Sequence, residues 1–88
     1  MVVRGIQNIK RKHMLIAYRR EFFAEAVVFL RENEQRDCKI EFSLEMTPLG
    51  ANIVRVKFLE DLGYPLIPLM NEVKTKITEL DKAGALPR

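Results

Sequence analysis

The sequence predicts a small α+β domain, a two-layer sandwich in which a β-hairpin packs against two helices in the order α-β-β-α. Three observations carry this. Apolar side chains recur at helical spacing from Met14 to Glu32 and again from Leu66 to Leu80. Between them, Lys39–Met46 and Asn52–Phe58 alternate apolar and polar residues at period two. Pro48 and Gly50 separate these two runs, as a hairpin turn requires.

Taken in order, residues 1–8 hold a β-prone run broken by Gly5 and read either as an edge strand or as a disordered lead; as a strand they make the order β-α-β-β-α. Asn8 is available as an N-cap for the first helix. On a helical wheel Tyr18, Phe29, Phe22, Leu15, Ala26, Leu30, Phe23, Ile16 and Val27 fill an arc of about 180°, with Arg20, Arg31, Glu21, Glu25 and Glu32 opposite. This helix should end between Asn33 and Asp37. In the hairpin, Ile40, Phe42, Leu44 and Met46 share one face with Val54, Val56 and Phe58, and two registers a pair apart preserve that face. One sets Met46 opposite Asn52 and Glu41 opposite Lys57; the other sets Glu45 opposite Arg55. The second helix starts between Pro65 and Pro68 and stops at Gly84, leaving residues 85–88 as a tail. With residues 1–7 parallel beside the hairpin, the order resembles a ferredoxin-like split βαβ unit lacking its last strand, a likeness of element order that carries no function.

The 88 residues, 48% hydrophobic and 31% charged, suit one globular domain spanning residues 1–88 with a thin core. Met14 to Tyr18 is too short an apolar run for a signal peptide, and the longest uncharged stretch, Leu62–Asn71, is about half the length of a spanning helix. With the lone Cys38 and a single histidine, His13, these features lead us to expect a reducing, cytoplasmic setting without zinc, cofactor or membrane partner. No nucleophile, base and orienter can be assigned, so no enzymatic activity and no small-molecule substrate are expected. His13 has no acid within a helical turn, Glu21 and Glu25 lack a facing carboxylate, and Glu60–Asp61 read as turn residues.

Two surfaces stand out. The apolar arc of the first helix is wider than one buried face needs, so Leu15, Tyr18, Arg19, Phe22 and Phe29 are expected to meet a second copy of the chain in a homo-oligomer; the plainer reading puts both faces inside the fold, with Arg19 laying its stem over apolar surface. Residues 1–20 carry Arg4, Lys10, Arg11, Lys12, Arg19 and Arg20 and no acid, whereas residues 21–88 hold nine basic and twelve acidic residues. That polarity makes Arg4, Lys10, Arg11, Lys12 and Arg20 candidates for contacting nucleic acid or another anion. No base-reading motif accompanies them, and a solvated basic end is the plainer reading. The expected role is a non-enzymatic, homodimeric protein-interaction or assembly module, with nucleic-acid binding as the alternative.

Overall fold

The computed structural model describes residues 2–13, 17–31, 34–61, 63 and 66–87. It holds four strands, β1 (Val2–Arg11), β2 (Arg19–Arg31), β3 (Glu34–Met46) and β4 (Asn52–Phe58), followed by one helix, α1 (Leu66–Lys82). The strands form an antiparallel sheet in chain order, β1-β2-β3-β4. The two-helix α-β-β-α sandwich is therefore overturned: Arg19–Arg31, within the segment expected to be the first helix, is a central strand, and residues 14–16 and 32–33 of that segment lie outside the described residues.

The reason lies in period. In β2 the even positions Phe22, Ala24, Ala26, Val28 and Leu30 are all buried, which is the alternation of a half-covered strand. Phe23, Val27 and Phe29 on the odd positions fill in the gaps and give the same residues a helix-like arc on a wheel. Ala and Leu favour a helix locally, but a strand with hydrogen-bonded neighbours on both sides satisfies its aromatic and β-branched side chains in a sheet. Two further corrections follow. Residues 34–37, expected to close a helix, open β3. The N-terminal strand pairs antiparallel with β2, from Val2 opposite Phe29 to Arg11 opposite Phe22, and does not lie parallel beside the hairpin, so the ferredoxin-like order fails. Asn8, expected as a helix cap, sits at φ 51° where the β1–β2 register shifts, and its amide donates to Glu25 Oε1 at 2.5 Å.

The β3–β4 hairpin adopts the first of the two registers, with Ile40 opposite Phe58, Glu41 opposite Lys57, Phe42 opposite Val56, Leu44 opposite Val54 and Met46 opposite Asn52. Past the end of α1 at Lys82, Gly84 caps the helix: its φ of 68° lets Ala85 donate its amide to the Leu80 carbonyl at 2.9 Å. Leu69, Val73 and Ile77, one turn apart, are fully buried against the sheet's covered face, where Phe22 and Phe42 stack at 4.9 Å between centroids. The helix backbone comes nearest to β1 and β4, so the sheet curls around it and its two edges rise toward the helix. The Val3 amide donates to Glu72 at 3.3 Å, and Asp81 takes Arg20 at 3.1 Å and the Asn52 amide at 3.2 Å, tying the helix to strands β1, β2 and β4. The opposite face of the sheet has no helix over it among the described residues.

Candidate functional site at the end of the sheet

The tight connection between β3 and β4 shapes a largely apolar open surface. Thr47 to Gly50 form a β-turn closed by the Gly50 amide donating to the Thr47 carbonyl at 2.9 Å, with Gly50 at φ 85°. The Thr47 amide and hydroxyl both donate to the Ala51 carbonyl, at 2.8 and 3.0 Å. Pro48 and Leu49 take the two central positions, and the fixed turn holds Leu49 outward, 95% exposed. Next to it lies a groove of about 600 Å³ lined by Tyr18, Glu45, Met46, Thr47, Pro48 and Ile53. Tyr18 and Met46 are each 58% exposed and Ile53 41%. Across the rim, Arg19, Glu45 and Ile53 stand in one row over β2, β3 and β4. Arg19 Nε lies 3.2 Å from Glu21 Oε2, close enough for an ion pair though not aligned as a hydrogen bond.

Such a surface offers shape and apolar contact in place of a cluster of charge. It presents one carboxylate, and among the described residues no three His, Cys, Asp or Glu side chains cluster to hold a metal ion. Among them also, no helix is long and apolar enough to cross a membrane.

The residues singled out from sequence scatter over the molecule. Leu15 lies outside the described residues. Tyr18 and Arg19 are at the sheet end, but Phe22 is fully buried in the chain's own core and Phe29 is half-buried on the uncovered face, with the Arg4 guanidinium 4.8 Å from its ring centroid. The basic set divides as well. Lys12 Nζ sits 4.3 Å over the Phe23 ring and pairs with Glu21 and Glu41 at 3.5 and 3.4 Å, Arg20 is bound by Asp81, and Lys10 and Arg11 are exposed on β1. No helix starts at Lys10–Lys12, so those cations oppose no helix dipole. His13 is exposed just past β1. Met46, Leu49 and Ile53 escaped the sequence reading, because alternation assigned Met46 to the core and a turn leucine has no periodic signature. The one available signal was Leu49 itself, a large apolar residue between Pro48 and Gly50.

Cys38 faces the core from β3 and is fully buried. Burial pushes its thiol above the ordinary 9.0; Arg36 opposes this, while Glu60 and Asp37 add to it. A thiol that ionises later in the folded than in the unfolded chain stabilises the fold fully below its unfolded value, and that contribution is lost as pH rises further. Urea midpoints of the wild type should therefore fall more steeply than those of Cys38→Ala as pH is raised from neutrality through 9.0. Parallel pH profiles would contradict the assignment.

A four-stranded antiparallel meander, backed by a C-terminal helix and carrying an apolar groove at its turn end, makes this a small α+β protein with a single helix among the described residues. The chain belongs to the BB 0187 family, whose sequence model matches residues 1–82. No curated protein and no solved structure matches it.

Proposed function

We propose that this chain is a non-enzymatic assembly module that works as a cytoplasmic homodimer, two copies meeting at the turn end of the sheet. The observation that carries the reading is the pairing of a projection with a recess on one patch. Leu49 stands 95% exposed beside the groove formed by Tyr18, Met46, Pro48 and Ile53. In a two-fold contact the same patch serves both partners, so each copy's Leu49 enters the other's groove. Burying one leucine contributes about 1.5–3 kcal/mol, and symmetry counts it twice. The thin core of an 88-residue chain adds a reason for a partner to matter. Nucleic-acid binding through Arg4, Lys10, Arg11, Lys12 and Arg20 draws less support, because three of the five already have intramolecular partners.

Size-exclusion chromatography with light scattering tests this. The wild type should run at twice the 10.3 kDa chain mass at micromolar concentration. Leu49→Asp should weaken the dimer at least tenfold with an unchanged circular dichroism spectrum, since the side chain touches little within its own chain. A wild type that stays monomeric throughout the micromolar range would overturn the reading.

A further inference from the structure

The geometry points to the outer edge of β4 as a docking site for an extended peptide segment that alternates apolar and acidic residues, added to the sheet as a fifth strand. β4 is the last strand of the sheet, and its seven residues pair with β3 in an unbroken register. Among the described residues nothing pairs with its outward backbone groups, and their direction follows from two hydrogen bonds. The Leu59 amide donates to the Lys39 carbonyl and the Thr47 amide to the Ala51 carbonyl, at 2.9 and 2.8 Å. In an antiparallel ladder bonded and non-bonded pairs alternate, so Ile53, Arg55 and Lys57 direct their backbone groups toward β3, while Val54, Val56 and Phe58 direct theirs outward. Three consecutive outward positions form a template for strand addition.

The side chains select what can use it. On the covered face, Val54, Val56 and Phe58 are half-buried and continue the apolar core to the edge, so a docked strand places apolar residues beside them. On the uncovered face, Arg55 and Lys57 are exposed, and among the described residues neither makes an ion pair; Glu41, opposite Lys57 on β3, has its carboxylate engaged by Lys12. Two basic residues at alternate positions of an edge repel like strands and attract carboxylates at the same spacing. A second copy of β4 brings no carboxylate to these positions: full overlap sets Arg55 opposite Arg55, a two-residue shift one way sets it opposite Lys57, and a shift the other way sets it opposite Ile53. Nor does β1 offer an equivalent edge, since the irregularity at Asn8 breaks its register.

The test titrates wild-type protein into the labelled peptide Thr-Val-Glu-Val-Glu-Val-Thr, and into its counterpart with Lys at both Glu positions, followed by fluorescence anisotropy. The acidic peptide should bind at least tenfold more tightly, and added salt should narrow the gap. Arg55→Glu combined with Lys57→Glu, both at exposed positions, should reverse the preference. Amide exchange at Val54, Val56 and Phe58 in the wild-type complex should slow, and it reads the docking edge without any substitution. Leu49→Asp should bind the acidic peptide as the wild type does, which separates this site from the proposed dimer contact. Equal affinity for the two peptides, no binding of the acidic one, a preference unchanged by the double substitution, or protection confined to another strand would each overturn the proposal.

Discussion

Phe22→Ala should lower the free energy of unfolding by about 3–5 kcal/mol in urea denaturation followed by circular dichroism, while Phe23→Ala should lower it by about 1 kcal/mol. The neighbours differ because β2 is a strand. Phe22 is fully buried and stacks on Phe42, so truncation leaves a cavity between the sheet and α1 and removes an aromatic partner. Phe23 points the other way, 44% exposed, with the Lys12 ammonium over its ring. On a helix both rings would sit within one apolar arc and the two losses would be similar. Equal losses would therefore contradict the strand assignment. The burial also settles what a charge at this position would do: Phe22→Glu places a carboxylate in the core and unfolds the chain, rather than dissociating a dimer.

Ile77→Ala carries the second large effect, a loss of about 2–5 kcal/mol by the same measurement. The side chain is completely buried, one turn beyond Val73 and two beyond Leu69, in the row that covers the sheet. Ile67, in the first turn of the same helix, is 73% exposed, and Ile67→Ala should stay within about 0.5 kcal/mol of the wild type. Because α1 is the sole helix among the described elements, the sheet's core face has no alternative cover, and loosening this row exposes Ile40, Phe42 and Leu44 together. A loss at Ile77 no greater than at Ile67 would place the wrong face of the helix against the sheet.

The parts of the fold that were legible are those whose two faces differ in polarity. The hairpin could be read because Glu41, Ser43, Glu45, Arg55 and Lys57 contrast with the apolar positions between them, and α1 because Leu69, Val73 and Ile77 stand among charged residues with proline at one end and glycine at the other. β2 could not, since its uncovered face also carries Phe23, Val27 and Phe29, and period two was lost against a helical arc. The irregular pairing of β1 hid its length as well: the shifts around Gly5 and Asn8 let the strand run on to Arg11, past the point where alternation fails. At the sheet end, Tyr18 and Arg19 were marked as partner-facing from the sequence, though by way of a helix that does not form. Leu49 owes its exposure to the turn between β3 and β4, which backbone geometry reveals, whereas Ile53 is exposed because it shares the uncovered face of β4 with Arg55 and Lys57.

The curl of the sheet around α1 also bears on the order of folding. Every strand pairs with its neighbour in the chain, so the sheet can grow from successive hairpins with little loop entropy to overcome. The contact between α1 and β1 is different: it joins Val3 to Glu72, 69 positions away, and forms once the strands between them are in place. Until then the concave apolar surface of the meander is wet and open to other chains. The helix is thus the lock of a cooperative transition as well as its cover, and the period before it docks is when the chain is most exposed to aggregation.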